Sequence, residues 1–387
     1  MTSPAERATG ALYGLAIGDA LGMPTQALPR AEIVARYGPL IGGFEAGPAD
    51  HPLAAGLPAG SVTDDTEQAV LVGQLLAESG GRPDGAELAR RLIAWEDGMR
   101  ARGSLDLLGP STRQAIAALL AGAPPGQAGR HGTTNGAAMR ITPVGIATPA
   151  GDPDLLTDRV VAVSEVTHNT GVALAGAAAV AAAVSAAIDG PAGSGSSSAS
   201  GSSAADSSAD PGSAGDAGPI HDGDGARVSG GPGAAAEIRR VTRVAVRAAR
   251  RAAKLGHWVA AADVAARIEW ATAMTAGLGT ADVLDVVYRL VGTSLATQES
   301  VPAAFAVLAA SPGDPWLACR IAASLGGDCD TIAAMTGAIA GACHGAGAFP
   351  GLARQTIDEV NGLDLGSLAA RLLALRDSSR APGRGRR

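Results

Sequence analysis

Residues 171–188, GVALAGAAAVAAAVSAAI, form an uncharged run in which only Leu174 and Ile188 are larger than valine. A run of this length belongs either in a bilayer or in the interior of a folded protein. Alanine and glycine drive membrane insertion far less than leucine or phenylalanine. The run is therefore expected to be a helix enclosed by other helices, in a protein with no membrane partner.

The rest of the chain is made of similar material. It is 47% hydrophobic, yet aromatic residues make up only 3% and glycine fills 54 of 387 positions. A core rich in Ala and Leu but poor in rings and β-branched runs favours close-packed helices over sheets. Apolar residues recur at helical spacing in 67–77, 86–95, 113–120, 268–274 and 281–291. Gly and Pro punctuate between them, and neither a strand-like alternation nor a repeat of fixed period appears. The expectation is an all-α helical bundle, one domain over residues 1–375. Within it, residues 190–233 are Gly-, Ser- and Ala-rich, cannot offset their ordering entropy, and are expected to be a disordered insertion. Residues 376–387, RDSSRAPGRGRR, are expected to be a flexible basic tail.

A net charge of −7 argues against a stable nucleic-acid partner. Three cysteines without CxxC spacing indicate neither disulfides nor a zinc site, so reduced thiols are expected. The first residues lack a basic start and carry Asp19 where a secretory signal would stay apolar. A soluble cytoplasmic protein follows as the expectation. One further pattern, Arg239, Arg243, Arg247 and Arg250 or Arg251 on one helical face, would suit phosphate but is read as a solvated basic face.

The chemistry is concentrated in two short acidic motifs, each opening an apolar helix. Thr63-Asp64-Asp65-Thr66 alone would serve as a helix start, where side-chain oxygens cap free N–H groups and the dipole favours negative charge. Gly326-Gly327-Asp328-Cys329-Asp330-Thr331 repeats the theme before a second helix. Capping needs one oxygen, and two acids plus threonine, twice over, exceed that need. Hard cations such as Mg²⁺ or Mn²⁺ take about six oxygens from carboxylates, hydroxyls and water. Together the motifs hold enough oxygens for two such ions. The turn Gly132-Thr133-Thr134-Asn135-Gly136, leading to Arg140, can offer backbone N–H groups to a phosphate or ribose. Thr167-His168-Asn169 precedes the alanine-rich run, where a histidine is more often structural than a ligand.

These motifs, in this order, resemble the ADP-ribosylglycohydrolase family, which includes the dinitrogenase-reductase-activating enzyme and the ADP-ribosyl-acceptor hydrolases. The resemblance is carried by GALYGLAIGDALGMPTQ (10–26), SVTDDTE (61–67), GTTNGAAMRITPVG (132–145), THN (167–169) and SLGGDCDTIAAMTGAIAGACHG (324–345). It implies an orthogonal all-α bundle with a dinuclear Mg²⁺ or Mn²⁺ centre. Thr63, Asp64 and Asp65 match one set of metal ligands, and Asp328, Asp330 and Thr331 match the other. The implied activity is hydrolysis of an N- or O-glycosidic bond to an ADP-ribosyl or simpler ribosyl group, free or on a protein. Gly132, Asn135, Gly136 and His168 match segments that contact the ADP-ribose. Two positions depart from the pattern. Cys329 replaces a threonine between two ligands and is expected to point away from them. Gln26 stands seven residues after Asp19, where many of these hydrolases have an acting Glu, and an amide is neither base nor cation ligand. Either Asp64 or Asp65 then handles the water, or the substrate differs from ADP-ribosyl-arginine or -serine. The alternative is a catalytically silent ADP-ribose binder or structural relative. Asp19 itself is read as a buried helix-terminus group.

Overall fold

The computed structural model describes residues 2–104, 108–190 and 231–380. Among these, eighteen α-helices and no strand are present, with only two isolated bridges, Thr134 to Ala296 and Thr170 to His257. All five segments expected from their periodicity are helical; the fifth is an α-helix over Thr280–Val286 that runs on as a π-turn through Val291.

Two helices form the centre. Pro4–Gly22 starts on a Ser3–Glu6 capping box, and Cys329–His344 crosses it over most of its length. Their contact is made by Gly10, Gly14, Gly18 and Gly22, four apart and hence on one face of the first helix. A Cβ added at Gly14 would lie 2.0 Å from the Gly337 carbonyl oxygen, and one at Gly18 2.0 Å from that of Ala333. At Gly22 it would meet Asp330 Cα at 2.3 Å. The missing side chains let backbone touch backbone, and this sets how near the second acidic motif comes to the first helix.

The alanine-rich run is the helix Gly171–Asp189, and its whole apolar window is buried. It packs chiefly against Pro232–Ala252, whose buried face is Ile238, Val241, Ala245, Val246, Ala249 and Ala252. Cys319, Cys329 and Cys343 are free and buried.

Two boundaries differ from expectation. The insertion expected at 190–233 lies outside the described residues over 191–230, but Gly190 already caps one helix and Pro232 begins the next. The tail expected from residue 376 starts too early, because Leu365–Arg380 is one helix and Arg376 is fully buried within it. The Arg376 guanidinium donates to the carbonyls of Gly145 (3.0 Å), Ile146 (3.2 Å) and Ser185 (2.9 Å) and pairs with Asp189. The misreading has a physical cause: a local run of polar residues gives no sign that one arginine will satisfy helix ends distant in sequence. Residues 381–387 lie outside the described residues.

Candidate metal centre

The site begins with Asp19, on the last turns of Pro4–Gly22 and completely buried. Its carboxylate accepts from Thr63 N (3.0 Å), Thr63 Oγ1 (2.7 Å), Thr66 N (3.1 Å) and Thr66 Oγ1 (2.5 Å). Asp19 thus binds the N-terminus of a neighbouring helix, Asp64–Glu78, and fixes the first acidic motif. The bland reading of Asp19 holds, with the refinement that the terminus belongs to another helix. Burial raises its carboxyl to about 6, while the threonine hydrogen bonds pull the other way.

The second motif is held by its glycines. Gly326 and Gly327 have φ of +83° and +68°, a left-handed region that glycine enters without a Cβ penalty. Backbone bonds clamp the turn on both sides: Gly327 N to Leu28 O at 3.0 Å, Ala27 N to Gly327 O at 2.7 Å, and Asp328 N to Thr293 O at 2.7 Å. The two motifs then meet directly, since Thr331 Oγ1 donates to Asp65 Oδ2 across 3.2 Å. Cys329, between the two aspartates, turns instead toward the first helix's C-terminal side, its Sγ 3.3 Å from Thr25 Oγ1.

Four further aspartates crowd Asp65, and its carboxyl is pushed well above the usual range. Burial is the first cause, followed by the charges of Asp330, Asp64, Asp19 and Asp328. Burial also raises Asp328 to about 6 against the hydrogen bonds of Asn135 and Thr331. Asp65 Oδ1 is buried and receives no hydrogen bond. A buried acceptor of this kind, inside a group of like charges, is costly unless a cation completes it. Among the described residues no three acidic, histidine or cysteine side chains already form a closed ligand cluster. An ion would therefore be gathered by oxygens of both motifs, with hydroxyls and water included. The all-oxygen donor set fits a hard divalent cation such as Mg²⁺ or Mn²⁺. Thr63 Oγ1 gives its proton to Asp19, as Thr331 Oγ1 does to Asp65, and a hydroxyl that donates in this way keeps lone pairs that can face an ion.

A cleft of about 240 Å³ opens above the cluster, lined by Asp64, Asp328, Asp330 and Thr331, with Gln26, Asn135 and Gly136 on its walls. Asn135 is less a free ligand than expected, since its Nδ2 donates to Ser300 Oγ (3.0 Å) and to Asp328 Oδ2. Gly132 and His168 do not line the cleft. Gly132 packs on the Thr167 carbonyl, and its own carbonyl accepts from Thr170 Oγ1 at 2.6 Å. His168 is fully buried beneath Gly136, where a Cβ would sit 2.9 Å from its ring, and burial holds its pKa well below the usual value. Both residues lie behind the wall of the cleft.

Behind the cleft runs a buried chain of hydrogen bonds absent from the sequence reading. Gln68 Nε2 donates to Asp64 Oδ2 (2.9 Å), and Arg140 Nη1 donates to Gln68 Oε1 (3.1 Å). Arg140 Nη2 donates to Thr167 Oγ1 (2.5 Å), which lies 2.8 Å from His168 Nδ1. His168 Nε2 is 3.0 Å from Thr134 Oγ1, which lines the cleft. Arg140 is fully buried, its pKa lowered to about 10 by burial and supported by Asp64. Thr112, Arg113 and Leu295 also line the cleft. Thr112 and Arg113 come from the start of the helix Pro110–Leu120 and Leu295 from the bend before Thr297–Ala310, and none belongs to a motif, so nothing in the sequence marked them as lining a cleft.

Comparison with known proteins agrees with this architecture. The family model described as ADP-ribosylglycohydrolase matches residues 1–382. An uncharacterized protein of Escherichia coli (strain K12), YegU, is 33% identical over 377 residues, covering 97% of this chain and 99% of that protein. The ADP-ribosyl-[dinitrogen reductase] glycohydrolase of Rhodospirillum rubrum is 32% identical over 185 residues, covering 44% of this chain and 54% of that one. Among solved structures, an ADP-ribosylglycohydrolase-related protein complex superposes with a TM-score of 0.59 at 22% identity, covering 97% of this chain and 99% of that one.

Proposed function

The chain belongs to the ADP-ribosylglycohydrolase family, and from that premise we propose that it is a metal-dependent hydrolase of a glycosidic bond to an ADP-ribosyl or simpler ribosyl group. Family membership supports the glycohydrolase class. The observation that carries it is Asp65, bonded by Thr331 from the other motif through one oxygen and left without a donor at the other.

Thr63, Asp64, Asp65, Asp328, Asp330 and Thr331 would hold two Mg²⁺ or Mn²⁺ ions, with Asp19 fixing Thr63 in place. When bound, the ions would supply Lewis acidity, orienting ribose hydroxyls and lowering the pKa of a water. The chain's own residues do the rest. Asp64 is the carboxylate best placed to take a proton from water, since it faces the cleft and Gln68 donates to its Oδ2. Asn135 holds Asp328 through its Nδ2. The anionic floor suits the oxocarbenium-like centre that forms as the glycosidic bond breaks.

The test is turnover of ADP-ribosylated proteins, ADP-ribose derivatives and ribonucleosides, with and without chelator. Chelator-sensitive hydrolysis that falls about a hundred-fold or more in Asp330→Ala is expected. Metal-replete protein that binds ADP-ribose yet hydrolyses none of the panel would overturn the proposal.

One observation favours a second reading, a silent ADP-ribose binder. Gln26 lines the cleft with its Nε2 buried and unbonded, at the position where the resemblance implies a carboxylate. Under this reading Gln26→Glu raises hydrolysis from a silent background. Full activity of the wild type, lost in Asp330→Ala, excludes it.

A further inference from the structure

The arginine face read from the sequence as solvated is not a plain surface. Arg239, Arg243, Arg247 and Arg250 lie along one edge of a groove of about 600 Å³ between the helices Pro232–Ala252 and Val264–Thr275. No residue lines both this groove and the acidic cleft. A volume of this size is typical of small-molecule sites, about 300–1,000 Å³.

The floor and the edge differ in character. Ile238, Val246, Ala273, Ala276 and Ala309 make the floor apolar. The polar side chains beside them are satisfied within their own helices: Thr242 Oγ1 donates to Ile238 O at 2.7 Å, and Thr272 Oγ1 to Ile268 O at 2.8 Å. Arg250 is paired with Glu269 at 2.7 Å. Arg239, Arg243 and Arg247 form no ion pair among the described residues. They follow one another at four-residue spacing, along about 12 Å of helix. Exposed guanidinium groups beside an apolar trough favour an anion, and guanidinium geometry matches carboxylate and phosphate. The trough itself would repel a fully charged polyanion, which argues against nucleic acid.

We propose that this groove binds an anionic amphiphile, with a phosphate or carboxylate head on Arg243 and Arg247 and an elongated apolar body on the floor. Charge complementarity and the apolar floor commit the site to a ligand having both parts.

The test is calorimetric titration of the full chain with octyl phosphate below its aggregation threshold, alongside inorganic phosphate and octanol. Octyl phosphate is expected to bind about ten- to a hundred-fold more tightly than either half alone. The pair Arg243→Glu/Arg247→Glu should lose binding by a similar factor, and Arg243→Gln/Arg247→Gln serves if charge reversal impairs folding. Hydrolysis at the acidic cleft should stay unchanged in both. Equal binding of inorganic phosphate would reduce the feature to a surface ion patch and overturn the proposal. So would equal binding of octanol, or undiminished binding in folded variants. Self-association through this face without octyl phosphate binding would make it a contact between copies and likewise overturn it.

Discussion

Replacing Asp65 with asparagine should make the metal-free protein more stable at mildly alkaline pH while abolishing its response to metal. Asp65 is completely buried, and burial together with four neighbouring aspartates holds its carboxyl well above 3.8. A carboxyl whose pKa is higher folded than unfolded binds more protons in the folded state between those two values. Stability therefore falls as pH rises through that window and stays reduced above it. Asp19 and Asp328 carry the same sign, each moved from 3.8 to about 6. For either one alone that difference is worth about 3 kcal/mol at a pH well above 6. The three belong to one cluster, so their costs overlap. Asparagine removes one charge while its carbonyl oxygen still accepts from Thr331 Oγ1, and a gain of about 1–3 kcal/mol follows for the metal-free fold. The assay is thermal unfolding from about pH 5 to about pH 8, in chelator and in MnCl₂. In chelator the wild type should weaken with rising pH. Saturating metal should restore about 3 kcal/mol at a hundred times its Kd and flatten the slope. Asp65→Asn should show a shallower slope and no metal response. A variant less stable than wild type in chelator at the alkaline end, or a wild type that strengthens with pH there, would refute the reasoning.

Gly22→Ala introduces a Cβ that would meet Asp330 Cα at 2.3 Å. It should displace the second motif, costing about 1–3 kcal/mol of stability and weakening the Mn²⁺-induced thermal shift, while Gly98→Ala, within the helix Gly85–Ala101 where a Cβ meets nothing within 4 Å, should leave that shift intact. Arg376→Met strands the carbonyls of Gly145, Ile146 and Ser185 and leaves Asp189 without its buried partner. A loss of about 3–5 kcal/mol is expected by chemical denaturation, whereas a flexible tail would give no change. Gln68→Leu removes the donor to Asp64 Oδ2 and leaves Arg140 Nη1 without its acceptor. Turnover should fall by about ten-fold with KM little changed, and an equal rise in KM would show that Gln68 serves binding instead.

The sequence by itself determined the fold class and the chemistry of the floor. Helical periodicity and alanine-rich apolar runs are local signals, so the helices were legible, including the buried Gly171–Asp189. Asp64, Asp65, Asp328 and Asp330 were legible as well, because acids in excess of capping need stand out within a few residues. Tertiary structure alone decided how the two motifs meet. The glycine face of Pro4–Gly22 sets the approach of Asp330, and Asp19 seats the other motif through Thr63 and Thr66. It also moved His168 and Gly132 behind the wall, joined Asn135 on the wall to Asp328, and recovered Arg376 from an expected tail. The reason is common to all of these. A side chain's type and spacing reveal its chemistry and its local helix, but its partners lie tens to hundreds of residues away. Only packing decides whether it faces a cleft, a groove or the core.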